Sequence, residues 1–292
     1  ILDVKDTGNC NTDATNFRNS IGTKGASYGA AYYPYIKSVY DREINVYDIY
    51  KGLGLSDNEL EDAQKYAVLS EPTEESTLFA KQLMSKPEYA KLVAKIQEQA
   101  NLLPPSGAIA GIYCANDNQR GVWHAPANMS VSGISDINVR ISDKQQGELN
   151  ENTSGKCINA IRAFQGKGIL VWGARTLDGL SSEWKYISVR RFFNYVEESI
   201  QESTAWAVFQ PNDANTWVKV RCQIENFLSN LWRDGALAGS TPQEAFYVRV
   251  GINQTMTAQD ILNGYMIVEI GMAAVRPAEF IVLQFSHKLQ ES

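Results

Sequence analysis

Along residues 166–212 the spacing of apolar positions changes midway. Ile169-Leu170-Val171-Trp172 is a short unbroken apolar run closed by Gly173, which predicts a buried strand. After the Asp178-Gly179 turn, Val189, Phe192, Phe193, Val196 and Ile200 recur at i, i+3, i+4, i+7 and i+11, one face of a helix. The opposite face carries Arg190, Arg191, Glu197, Glu198 and Glu202, with the arginines first and the glutamates last. Both placements oppose the helix dipole. The positions three and four residues beyond the arginines are Phe193, Asn194 and Tyr195, so neither finds an acid there. An arrangement that gains nothing inside its own helix points to a partner outside it.

A second helical pattern follows, with Trp217, Val220, Ile224, Phe227, Leu228 and Leu231 inward, Asn212 as its cap and Gly235 as its end. Thr241-Pro242-Gln243-Glu244 reads as a capping box with proline at the first helical position. Strands are predicted at 246–250, 265–271 and 279–285, with a short capped helix over 257–264. Upstream, 1–4 reads as a strand, 6–15 as a polar loop, and the tyrosine-rich 26–39 as a strand leaving the core. Residues 41–103 read as an insertion of two or three helices, the last starting at Lys86-Pro87-Glu88 and carrying Tyr89, Leu92, Val93 and Ile96 at helical spacing. An extended lead-in turns into a small-residue helix over 104–120; 121–128 is a loop, 134–141 a half-exposed strand and 142–149 a short helix. The fold class expected is α+β (mixed α/β) in two lobes: a C-terminal lobe of mixed β-sheet flanked by two long helices, and a middle lobe with a helical insertion.

Composition narrows the classes of function. The chain is 44% hydrophobic and 21% charged, and no apolar run approaches the ~20 residues a membrane helix needs. A net charge of -6 argues against nonspecific nucleic-acid binding, which depends on basic surface. Cys10, Cys114, Cys157 and Cys222 are scattered, without metal spacing, and read as small buried hydrophobes in a reducing compartment. Trp172, Trp184, Trp206, Trp217 and Trp232 read as core. The start Ile1-Leu2-Asp3-Val4, without methionine, reads as a strand inside a domain and hence as a fragment.

Catalytic and cofactor patterns fail on inspection. Gly155-Lys156 has Asn150 five residues ahead and Cys157 behind, so it is no phosphate loop. Gly166-Lys167-Gly168 has Val171 where a dinucleotide fingerprint needs glycine, and there is no G-x-S-x-G elbow. His124 and His287 stand alone. Asp117, Glu148 and Asp178 could meet in space for glycoside hydrolysis, a coincidence to be expected among 33 acidic residues. No catalytic residue, metal or cofactor is expected. Arg175, Arg190 and Arg191 are the charged positions that stand out, either as an internal ion pair or a solvated helix face, or as a subunit contact.

The string Trp172-Gly173-Ala174-Arg175-Thr176-Leu177, followed by Trp184-Lys185-Tyr186-Ile187-Ser188-Val189-Arg190-Arg191, closely resembles the contractile tail sheath proteins of phages and related injection machines. Similar blocks stand upstream in the Ala-Tyr-Tyr-Pro strand at Ala31, in Pro104-Pro105-Ser106-Gly107, and in Asp117 with Arg120-Gly121-Val122-Trp123. Downstream lie Phe209-Gln210-Pro211-Asn212 and Arg276-Pro277-Ala278-Glu279-Phe280. The resemblance implies a structural subunit that polymerises as stacked hexameric rings around an inner tube and contracts to drive that tube through a target envelope. It implies a middle or outer lobe over 1–180, with 41–103 as a decoration, and a tube-facing lobe over 181–292. Partners implied are neighbouring sheath subunits, the inner tail tube protein, and baseplate and terminator proteins, in a virion tail or injection particle assembled in the bacterial cytoplasm. By position, Arg190 and Arg191 are the tube-contact candidates, and Glu279, Ile281, Leu283 and Phe285 the strand that pairs with a neighbour. The signature residues are Gly173, Ala174, Arg175, Thr176, Leu177, Pro277, Glu279 and Phe280. Against the family pattern, the N-terminal arm and the first part of the outer domains are absent. The competing class is a tail or surface module such as a hydrolase or carbohydrate-binding domain.

Overall fold

The computed structural model describes residues 1–41, 87–150 and 154–279. In chain order these form β1 (Leu2–Asp3), α1 (Cys10–Ser20), β2 (Ala31–Tyr33), β3 (Ile36–Ser38), α2 (Pro87–Ala100), β4 (Leu102–Leu103), α3 (Ser106–Arg120), β5 (Met129–Ser130), β6 (Ile134–Ile137), α4 (Asp143–Asn150), β7 (Ile158–Phe164) and β8 (Gly168–Trp172). They continue with α5 (Ile187–Thr204), α6 (Ala214–Arg233), α7 (Pro242–Ala245), β9 (Phe246–Arg249), α8 (Ala258–Leu262) and β10 (Glu269–Met272). The expected mixture of helix and sheet is what is found. Of the 41–103 insertion, only α2 and its flanks lie among the described residues.

A five-stranded sheet of order β1-β2-β7-β8-β5 organises the first part of the molecule. Its β1, β2 and β7 run parallel, while β8 and β5 join antiparallel. Both faces are buried, and strand alternation sorts the side chains. Ala31 and Tyr33 of β2 join Ile158 and Ala160 of β7 on the face covered by Cys10 and Ala14 of α1. Tyr32 and Ile161 point the other way, toward Ile109 and Ile112 of α3 and Ile36 and Ile137 of a second sheet, β4-β3-β6. A strand buried on both faces reads as an unbroken apolar run, which is why β8 was legible. The buried tyrosine hydroxyls are partnered: Tyr33 donates to Asp13 at 3.0 Å, and Tyr32 lies 2.9 Å from the Tyr113 hydroxyl.

The second part is built on the two long helices. Phe192 and Val196 of α5 meet Val220, Ile224, Leu228 and Leu231 of α6, and this core extends onto Val248 of β9. Inward positions match the expected periodicities. The cap of α6 differs from expectation: Asp213 accepts from the Thr216 amide, while Asn212 accepts from the Trp217 indole at 2.7 Å and donates to the Tyr265 carbonyl. The helix closes at Gly235, φ +83°, where the Ala236 amide reaches back to the Leu231 carbonyl. Thr241 makes no side-chain cap, and α8 has the full capping box, Thr257 with Asp260. In this part the described strands are only β9 and β10, antiparallel, so the mixed sheet belongs to the first part. Trp206 is 41% exposed, not core, and Cys114 and Cys222 are exposed while Cys10 and Cys157 are buried.

Candidate functional site

The Gly173-Ala174-Arg175-Thr176-Leu177 block follows β8 and works as a junction between the central sheet and α5. Asn159, fully buried in β7, organises it. Its side-chain oxygen accepts from the Arg175 amide at 2.8 Å, and its amide nitrogen donates to the carbonyls of Arg175 and Ala31. Gly173 is required because a Cβ there would lie 2.8 Å from the Asn159 oxygen. Thr176 donates to the Trp184 carbonyl at 2.7 Å, and the Leu177 amide donates to Gly29. The Ile187 amide, at the start of α5, donates to the Ala174 carbonyl. A lone asparagine in the apolar run Cys157-Ile158-Asn159-Ala160-Ile161 was the signal in the sequence for this hub.

Arg175 is 4% exposed and carries a fork to Glu279: Nε to Oε1 at 2.8 Å and Nη2 to Oε2 at 2.7 Å. Its Nη1 donates to the Asn150 carbonyl, and the Tyr186 hydroxyl donates to Glu279 at 3.3 Å. Burial pulls the guanidinium down, but the hydrogen bonds and charge of Glu279 outweigh it and leave it raised. Pro277 sits partly buried two residues away. Phe280, Ile281, Leu283 and Phe285 lie outside the described residues.

Arg190 and Arg191 do not form the solvated face that the helical wheel predicts. Arg190 is 7% exposed, its guanidinium 3.9 Å from the Trp184 ring centre and 4.6 Å from that of Tyr28, and its Nε donates to Asn194 at 3.0 Å. Arg191 holds Asp117 of α3 with two parallel bonds, 2.8 and 2.5 Å, and lies over the Tyr113 ring. Hydrogen bonds to Asp117 hold this guanidinium above its ordinary value despite burial. For Arg191 the partner outside the helix is thus α3 of the same chain, and for Arg190 it is the Trp184 and Tyr28 rings. An open cleft of about 580 Å³ beside this pair is lined by Trp123, Asn194, Tyr195 and Glu198. Asp117, Glu148 and Asp178 stand on separate elements, and Asp117 is bound to Arg191.

The β9–β10 sheet is the other distinctive surface. Phe246, Val248, Ile270 and Met272 face α6, while Tyr247, Arg249 and Glu269 face outward. Tyr247 lies across Gly271, where a Cβ would be 2.2 Å from its ring, and its hydroxyl donates to Glu269 at 2.8 Å. Among the described residues the outer edges of both strands are unpaired. Two-stranded sheets are marginal alone, and their edges accept further strands.

Comparison with known proteins bears on all of this. Residues 181–288 match the family model of the phage tail sheath C-terminal domain. A tail sheath protein of Vibrio phage KVP40 is 23% identical over 192 residues, which is 65% of this chain and 27% of that protein. The PVC sheath complex of an extracellular contractile injection system, solved in its contracted state, is 34% identical with a TM-score of 0.72, covering 98% of this chain and 63% of that one. The contracted helical sheath of the anti-feeding prophage is 49% identical with a TM-score of 0.60, covering 64% of this chain and 51% of that one. The chain therefore spans about a quarter of the phage relative and under two thirds of either solved sheath chain.

Proposed function

We infer that the chain belongs to the contractile tail sheath family, whose C-terminal domain it matches, and that it is a structural subunit of a contractile sheath, polymerising as stacked hexameric rings around an inner tube. The relatives it resembles are tail sheath proteins, which supports a structural role. We place its outer lobe at 1–180 and its tube-facing lobe at 181–292, with neighbouring subunits and the baseplate as partners in an extracellular injection particle or phage tail.

The observation that carries this reading is the β9–β10 sheet, whose two edges are unpaired among the described residues. A strand such as 279–285 of a neighbour, alternating Glu279, Ile281, Leu283 and Phe285, would complete it through main-chain bonds that hold while side-chain contacts change. The tube contact moves in this reading from α5 to α6. On α5 the arginines are engaged internally, Arg190 with Glu197 at 3.8 Å among its partners, and the exposed charges that remain are Glu198 and Glu202. On α6 the exposed charges are Lys219 and Arg233, with Arg221 near Glu225 at 3.8 Å. An acidic tube wall would attract α6 and repel the outer face of α5.

The test is negative-stain microscopy of the full-length protein expressed alone and with its tube protein. Hollow ridged cylinders, with length or pitch set by the tube, are expected. Dispersed particles in both conditions would reject the reading.

A further inference from the structure

After β10 the chain crosses from the small sheet back to the central one, and its backbone is tied down along the way. The Ala273 amide donates to the Ala245 carbonyl, Ala274 bridges Leu237, and the Val275 amide donates to the Ala236 carbonyl at 3.2 Å. Past that point main-chain pairing ends among the described residues. Arg276 then donates to the Ser182 carbonyl at 2.6 Å, and Glu279 closes on Arg175 and Tyr186. The last described residue is therefore held by an ion pair whose side chains are only 5% and 20% exposed.

Such a pair is a poor device for stability alone, because desolvation offsets most of its attraction, but it is a good one for fixing a geometry. Its two donors are themselves fixed. Arg175 and Tyr186 face each other in an antiparallel bridge, and the Arg175 backbone is held on both sides by Asn159 in the middle of the central sheet. We propose that Arg175, Tyr186 and Glu279 form an anchor that fixes the chain at Glu279 against the central sheet. Pull applied beyond Glu279 then enters the five-stranded sheet through β7 and β8, instead of peeling β10 from β9. In a sheath this anchor would keep the two-stranded sheet intact while a neighbour's grip beyond Glu279 tightens, a consequence that rests on the sheath reading above. The anchor itself does not.

The experiment uses the full-length protein and its Glu279→Gln and Glu279→Asp variants, the first removing the charge and the second shortening the reach of the fork. Hydrogen exchange is followed by mass spectrometry, and polymers are scored by microscopy. Expected is a rise of about tenfold or more in exchange at the Ala273 and Val275 amides, which are bonded to the Ala245 and Ala236 carbonyls and would fray once the anchor beyond them is lost, with β7 and β8 unchanged and polymers absent or short. Unchanged exchange at 273–275 in both variants would overturn the anchor. Raised exchange with normal polymers would overturn its role in linking subunits. A wild-type protein that forms no polymer would sink the sheath reading, while the exchange result would still decide the anchor.

Discussion

Arg190 shows how a charge is read wrongly from periodicity. A guanidinium is flat and weakly hydrated, so it can be closed between two rings, as here between Trp184 and Tyr28, where an ammonium would resist. Buried thiols show the opposite balance. Burial, then the Asp13 carboxylate, push the Cys10 thiol up from an ordinary value of 9.0 to about 11. The folded state thus holds this proton more tightly than the unfolded one. Its contribution is complete below pH 9.0 and is lost as pH rises toward about 11. Across that window the protein should lose about 2 kcal/mol more stability than a Cys10→Ala variant, read from urea midpoints. Equal slopes in the two proteins would contradict it.

Among the elements, α6 decides whether the C-terminal part holds together. Its inward stripe of Val220, Ile224, Leu228 and Leu231 is shared by α5 and by β9, so a cavity there is felt by all three. Leu228 is fully buried, and Leu228→Ala should cost about 2–5 kcal/mol in urea unfolding. The small sheet should loosen with it, visible as faster amide exchange in 246–249 and 269–272. A loss under 1 kcal/mol (roughly, the level of a surface substitution) would mean that the helix pair does not pack as described.

For the whole molecule, the internal use of Arg190 and Arg191 leaves the two helices with opposite outward charge. Lys219→Glu with Arg233→Glu should abolish cosedimentation with tube and leave the melting curve unchanged, since both side chains are exposed. Raising salt should weaken the wild-type interaction in the same direction, because exposed charges are screened. Full cosedimentation of the double variant would return the contact to another face.

The sequence by itself determined the strand at β8, both long helices and the faces they bury, because those depend on local spacing of apolar residues and on residues that cap or break a helix. It also carried the family resemblance, through blocks that turn out to be junctions: Gly173 beside Asn159, Arg175 on Glu279, Asp117 on Arg191. Those pairings lie 74 to 104 residues apart along the chain for the ion pairs, and no local pattern can announce them. Only the tertiary structure decided which charges are spent inside and which remain for a partner. A charged side chain's role depends on what packs over it, and helical spacing describes only which way it points.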